Sequence, residues 1–316
     1  ISYHDFTEEH IDKALELDTV DVELVRKAGF KVVVDAINSV GGLLIPKVLE
    51  RLGVECIKIH CDPTGDFAHN PEPLPCNLTD LSKAVVENGA DLGISVDPDV
   101  DRLAFICENG EPFGEEYTLV SIVDYILGEA RKRGVSNLAT SSNLSSSRAL
   151  RDVTEAHGGT YHAAAVGEVN VTTKMRECGA IIGGEGNGGV IYPALHYGRD
   201  AIVGSALFLS LLAKKNIRVS SLRDSYPQYY IAKNQIELSD KALIDRILSE
   251  LQKIYASEDV NTIDGVKISF EKTRSWVHLR KSNTEPIIRI YAEAPLKAEA
   301  EALAEEIISV AKKIIG

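Results

Sequence analysis

Apolar residues at Ile11, Leu15, Leu17, Val22 and Val25 recur near helical spacing and predict an acidic amphipathic helix over 8–28. The rhythm then changes. Lys31-Val-Val-Val34 is a short apolar run that predicts a strand, 41–52 a helix stopped by Gly53, and Val54–Ile59 the next strand, which together make a βαβ unit. Pro63, Pro71, Pro73 and Pro75 confine 62–75 to loop, because proline lacks the N–H that regular pairing needs. A helix resumes over 78–88, and Ala90–Val96 and Leu103–Cys107 read as short buried strands.

A weak repeat follows. Asn88-Gly-Ala-Asp-Leu-Gly-Ile94 resembles Cys178-Gly-Ala-Ile-Ile-Gly-Gly184, and each leads from a helix into a polar loop. Upstream, strand 138–140, a Ser/Asn-rich turn, helix 147–157, Gly158-Gly159 and strand 160–165 mirror the units of 31–59. The pattern after 225 alternates instead: strands over 231–238, 266–270, 276–279 and 287–291 surround and precede helices over 240–255 and 296–315. The predicted fold is therefore α/β, with two successive α/β domains of similar design followed by an α+β domain with an antiparallel sheet. The expected boundaries are 1–108, 109–224 and 225–316, the last joint falling at Arg223–Pro227.

Composition narrows the partners. With 316 residues the chain has room for two or three cores, while a formal charge of −13 argues against nucleic acid or an anionic membrane. An anionic small molecule would need a locally basic site. The longest apolar run, Ala201–Ala213, is too short to span a bilayer and contains Gly204, Ser205 and Ser210. Five scattered cysteines read as reduced thiols of a cytoplasmic protein; Cys56 and Cys61 lack the second ligand pair of a zinc site. The start, Ile1-Ser-Tyr-His-Asp-Phe6, has neither Met nor a signal pattern, which suggests removal of something upstream by processing or truncation.

Three segments are costly as mere structure. Asp97-Pro-Asp-Val-Asp-Arg102 places Asp97, Asp99 and Asp101 at every second position of a loop after a strand, where a curling chain turns alternate carboxylates inward toward a hard cation, and Arg102 adds a charge suited to phosphate. An acidic surface turn is the plain alternative. Gly183-Gly-Glu-Gly-Asn-Gly-Gly189 sets Glu185 and Asn187 among five glycines; a carboxylate there can accept from neighbouring sugar hydroxyls, and a flexible hairpin is the alternative. Arg280-Lys-Ser-Asn-Thr-Glu-Pro286 with Arg289 gathers guanidinium and small polar groups that can wrap a phosphate, or make a solvated turn neutralised by Glu285.

In this order the three loops resemble the α-D-phosphohexomutase family, which includes phosphoglucomutases, phosphomannomutases and phosphoglucosamine mutases. The resemblance covers essentially all 316 residues and corresponds to the second, third and fourth of the family's four domains. It implies an isomerase that interconverts hexose 1- and 6-phosphates through a bisphosphate, with Mg2+ as cofactor and a small hexose phosphate as ligand. By the same resemblance Asp97, Asp99 and Asp101 would hold magnesium and Arg102 would reach the catalytic phosphate. Glu185 and Asn187 would read the sugar, and Arg280, Ser282, Asn283, Thr284 and Arg289 would hold the non-reacting phosphate. Gly198-Arg199-Asp200 also resembles a family segment, and equally a helix start capped by Asp200.

The family's nucleophile is a phosphoserine in a Ser-His-Asn-Pro-like loop, which these residues do not contain. Phe67-Ala-His-Asn-Pro71 has Ala68 at the serine position, and none of the serines in 141–147 is framed by His-Asn-Pro. The chain by itself is therefore expected to be inactive. The competing expectations are a non-catalytic sugar-phosphate-binding module, or subunit, that needs a separate phosphoserine domain, and a magnesium-dependent phosphatase with an aspartate nucleophile in 97–101. The latter fits poorly, since such motifs come early in a single α/β domain. Asn187 departs from the Glu-x-Ser-Gly pattern of bacterial branches and leaves the choice among glucose, mannose and glucosamine phosphates open.

Overall fold

A computed structural model describes residues 4–237, 241–282 and 287–315. The first 28 residues form two helices, α1 (Thr7–Leu15) and α2 (Val22–Ala28), rather than the single predicted one. The break lies where Asp21 turns its carboxylate back to accept from the Leu24 N–H at 3.0 Å and so starts a new helix.

Two α/β units follow. In the first, β1 (Lys31–Asp35), α3 (Gly41–Arg51), β2 (Glu55–Ile59), α4 (Thr79–Asn88), β3 (Leu92–Val96) and β4 (Leu103–Cys107) build a sheet of order β2-β1-β3-β4. The second contains α5 (Glu115–Lys132), β5 (Ala139–Asn143), α6 (Arg148–Ala156), β6 (Thr160–Ala164), α7 (Glu168–Cys178), β7 (Ile182–Glu185) and β8 (Gly189–Ile191), with sheet order β6-β5-β7-β8. In both sheets the first three strands are parallel and the last returns antiparallel. The weak repeat in the sequence is thus a repeat of topology, and the loops 97–102 and 186–188 are equivalent turns at the carboxyl end of each third strand.

Helices α8 (Ala201–Lys215) and α9 (Val219–Asp224) complete this half. The helix α8 is apolar on every side and its first 12 residues are buried, so it reads as a run rather than a stripe. It joins the two units into one core: the Phe208 ring stacks on Phe105 at 3.7 Å between centroids. For the same reason periodicity assigns no element to α5, whose buried residues wrap most of its circumference.

The last unit has β9 (Tyr230–Glu237), α10 (Lys241–Ile254), β10 (Asp259–Asn261), β11 (Val266–Phe270), β12 (Ser275–Lys281), β13 (Ile287–Ala294) and α11 (Lys297–Ile315). Its sheet, β10-β11-β12-β13-β9, is antiparallel throughout and carries its own core. Leu238 and Asp240, predicted to belong to these elements, lie outside the described residues.

This unit is pinned to the second by a buried carboxylate. Glu293 on β13 accepts at one oxygen from the Arg148 N–H at the start of α6 (2.8 Å) and from Trp276 Nε1 (2.6 Å), while its other oxygen has no hydrogen-bond partner among the described residues. Burial pushes Glu293 up to about 7, against the pull of its donors and of Lys267. An unfolded glutamate titrates near 4.5, so between about 4.5 and 7 the native state alone retains this proton and stability falls as pH rises. Glu293→Gln keeps the acceptor and removes the charge. We expect it to raise the melting temperature above pH 7, by on the order of 3 kcal/mol in stability, and to flatten the dependence between pH 5 and 7 in thermal melts.

Candidate functional site

The aspartate loop is set by a hydrogen-bonded turn. Asp97, buried at the end of β3, accepts at Oδ1 from the backbone N–H groups of Asp101 and Arg102, each at 3.0 Å. Val100 takes φ 63°, a left-handed conformation costly for a β-branched residue. Its carbonyl accepts from the N–H of Ala201 at 3.0 Å, which fixes the loop on the first turn of α8. One carboxylate oxygen each from Asp97, Asp99 and Asp101 falls within 4.8 Å of the others. Burial, then repulsion from Asp101 and Asp99, pushes the Asp97 carboxyl up to about 7 despite its two N–H donors. A cation among the three would offset both effects, so this donor set fits a hard divalent ion.

The glycine-rich loop has no room for a side chain at three of its glycines. A Cβ on Gly186 would sit 2.0 Å from the Glu116 carboxylate, one on Gly188 2.3 Å from the Leu103 carbonyl, and one on Gly189 2.3 Å from Arg199 Cδ. The loop is packed against the protein itself. Leu103 also donates its N–H to the Gly188 carbonyl at 3.1 Å, so the two equivalent turns are hydrogen-bonded side by side. Glu185 is 4% exposed and accepts from Asn143 Nδ2 (2.8 Å), the Gly167 N–H (3.0 Å) and Arg199 Nη1 (2.7 Å). Asn187, half-buried, accepts from the Gly189 N–H at 3.2 Å.

Arg199 ties the loops together. Its Nε meets Glu168 at 3.1 Å, its Nη1 Glu185 at 2.7 Å, and its Nη2 Asp101. Burial disfavours the charge, but Asp101, Glu185 and Glu168 outweigh it and hold the guanidinium above its usual range. Asp200 next to it is the cap of α8, as one reading of Gly198-Arg199-Asp200 has it.

Arg280 on β12 and Arg289 on β13 stand directly opposite in the strand register. Like charges in such a pair repel. Arg280 has Asp264 at 3.7 Å, and Ser282 closes the hairpin by donating its N–H to the Ile287 carbonyl at 3.0 Å. Asn283 and Thr284 lie outside the described residues.

A cleft of about 470 Å³ brings Arg102, Glu185, Asn187, Arg280 and Arg289 to one space, although they come from three sheets. Lys233 and Arg199 also line it, together with the carboxylates of Glu72, Glu115, Glu116 and Glu168. The cleft as a whole is therefore mixed in charge, and the locally basic end expected for an anion is the Arg280–Arg289 end. Ser145 is a further wall residue. His278 Nε2 donates to the Asp264 carbonyl at 2.6 Å, so its Nδ1 accepts the Ser145 hydroxyl at 2.9 Å. Burial pulls His278 down to about 4, which keeps it neutral in that role. The Phe67–Pro71 segment does no such thing: His69 bonds the buried Asp35 at 3.1 Å and anchors the loop to β1.

The descriptions "Phosphoglucomutase/phosphomannomutase, alpha/beta/alpha domain II", "alpha/beta/alpha domain III" and "C-terminal domain" match residues 8–110, 115–230 and 235–310. A phosphoglucomutase/phosphomannomutase of Thermococcus kodakarensis is 36% identical over 284 residues, covering 89% of this chain and 60% of that protein. A phosphoglucosamine/phosphogalactosamine mutase of Sulfurisphaera tokodaii is 33% identical over 304 residues, covering 95% and 64%. This chain thus spans less than two thirds of the length of these curated relatives. A crystal structure of a phosphoglucomutase/phosphomannomutase family protein from Burkholderia thailandensis superposes with TM-score 0.85 at 25% identity, over 99% of this chain and 65% of the other. The fold also matches an Aspergillus fumigatus N-acetylphosphoglucosamine mutase solved with GlcNAc-6P and magnesium, with TM-score 0.68 at 16% identity over 97% of this chain and 64% of that one. The chain belongs to the phosphoglucomutase/phosphomannomutase family, of which it contains domains II, III and IV.

Proposed function

We propose that the cleft holds a hexose phosphate for interconversion of its 1- and 6-phosphates through a bisphosphate, as a phosphohexomutase does. The observation that carries this is the opposed pair Arg280 and Arg289, facing the same cleft as Arg102 and Glu185. Two guanidinium groups on one wall of a cleft can both donate to a single anion. In this reading Arg280, Ser282, Asn283, Thr284 and Arg289 bind the non-reacting phosphate. Glu185 and Asn187 receive the sugar hydroxyls, Glu185 sharing the oxygen it now gives to Arg199. Arg102, 31% exposed and within 3.8 Å of Asp97 and Asp101, turns toward the reacting phosphate.

Asp97, Asp99 and Asp101 would hold Mg2+, which when bound neutralises charge on a phosphoryl group in transfer. They supply three protein ligands, short of the six or so oxygens magnesium takes. We therefore expect weak occupancy by magnesium alone, and clearly tighter binding when phosphate supplies further oxygens, read by calorimetric titration with and without inorganic phosphate. Equal affinity in both would contradict the assignment. The phosphoryl donor is a phosphoserine from outside these 316 residues, since no Ser-His-Asn-Pro loop lies within them. The chain alone then binds hexose phosphates weakly without turning them over. Glucose, mannose and glucosamine 6-phosphates titrated against inorganic phosphate test the reading: sugar phosphates are expected to bind more tightly, and no preference over inorganic phosphate would refute a sugar site.

A further inference from the structure

His10 on α1, His196 in the loop after β8 and Asp200 at the head of α8 meet at one point, and none of the three lines the cleft. His10 Nε2 lies 2.7 Å and His196 Nε2 3.0 Å from the same oxygen, Asp200 Oδ2. Asp200 Oδ1 is committed elsewhere: it accepts from the N–H groups of Ile202 (2.7 Å) and Val203 (3.1 Å). The carboxylate is therefore held by the helix it caps and presents Oδ2 in a fixed direction, the kind of outer support that orients metal ligands. Asp200 is 5% exposed, whereas the imidazoles are 35% and 39% exposed, so the group is firm at its base and open on its outer side.

Two imidazole nitrogens and one carboxylate oxygen form the donor set of zinc and its neighbours, not of magnesium or calcium. Ligand bonds of about 2.0–2.1 Å in tetrahedral array space the donor atoms by roughly 3.3 Å. The two nitrogen–oxygen separations, 2.7 and 3.0 Å, are shorter than that by about 0.6 and 0.3 Å, and all three donor atoms lie within 4.8 Å of one another, so a metal enters by a shift of the exposed rings. Each imidazole then carries its proton on Nδ1 and turns the Nε2 lone pair to the metal. We propose that His10, His196 and Asp200 form a second cation site, for zinc or a neighbouring divalent transition metal, that ties α1 to α8 and leaves one position open to water. It differs from the aspartate loop in donor chemistry and in place.

The test is a calorimetric zinc titration of the 316-residue chain in excess magnesium, which competes for the hard-oxygen loop, with thermal melts alongside. The expected result is one zinc per chain and a raised melting temperature. In a His10→Asn, His196→Asn double variant the affinity should fall by about 100-fold or more, because losing even an outer-shell partner costs roughly 10–100-fold. Asp200→Asn retains an oxygen for the helix cap and should lower zinc affinity without preventing folding. Absence of stoichiometric zinc uptake would overturn the proposal. So would equal uptake by the double variant, including uptake by Cys56 and Cys61, and the trio would then be a hydrogen-bonded helix cap only.

Discussion

Replacing Arg280 and Arg289 together by Ala is expected to weaken hexose phosphate binding by at least about 100-fold while leaving the melting temperature unchanged or slightly higher. The affinity loss follows from hydrogen bonds to a phosphate, each worth about 1.5–3 kcal/mol when both groups are charged, and about 2.7 kcal/mol corresponds to 100-fold. The melting temperature should hold or rise slightly because relief of repulsion between two like charges in register on β12 and β13 offsets loss of the Arg280–Asp264 contact at 3.7 Å. Calorimetric titration of a hexose 6-phosphate and a thermal melt of the same sample read both. A variant that melts far lower while binding as well as the original would show that the pair serves the sheet and not a ligand.

Arg199→Ala is the second change with a large expected effect, and it splits in sign between two ligands. The guanidinium is 15% exposed and serves Asp101, Glu168 and Glu185 at once. Removing one partner of a buried ion pair costs about 3–5 kcal/mol; with one side of Arg199 open to water, about 2–4 kcal/mol is expected. Sugar phosphate binding should fall, because Glu185 loses the group that orients it. Magnesium binding should tighten, because Asp101 is released to the cation. Denaturant melts with and without magnesium check the first part, since magnesium should recover some of the lost stability. Arg199→Lys should lie between, because one ammonium cannot reach three carboxylates as the guanidinium fork does. Unchanged magnesium affinity in Arg199→Ala would remove Asp101 from the linkage.

The place of the aspartate loop was legible because its signal is local: three acids at alternate positions between two apolar strands mark a turn at the carboxyl end of a strand, and the structure gathers their carboxylates within 4.8 Å. The same holds for the two α/β units, whose repeat shows in short apolar segments such as Ala90–Val96. Arg199 is the contrary case. Its partners lie 14, 31 and 98 positions away, so a lone Arg beside a helix cap carries no local mark of its role. Lys233 is obscured in the same way, as one polar position in an alternating strand. The glycines of 183–189 were visible, but their cause was not, because Glu116 and Leu103, which crowd Gly186 and Gly188, come from distant segments. The helices α5 and α8 escape periodicity because burial on most sides erases the polar stripe that periodicity detects.

We infer that these three domains form a hexose phosphate cleft that binds its ligand but takes its phosphoryl donor from elsewhere. Phosphorus NMR of a hexose 1-phosphate with the purified 316-residue chain and magnesium tests both halves in one sample. The expected spectrum is a 1-phosphate resonance broadened or shifted by the chain, restored in the Arg280→Ala, Arg289→Ala variant, with no 6-phosphate signal over time. A growing 6-phosphate resonance with contaminating mutase excluded, or a 1-phosphate line indifferent to the chain, would contradict it.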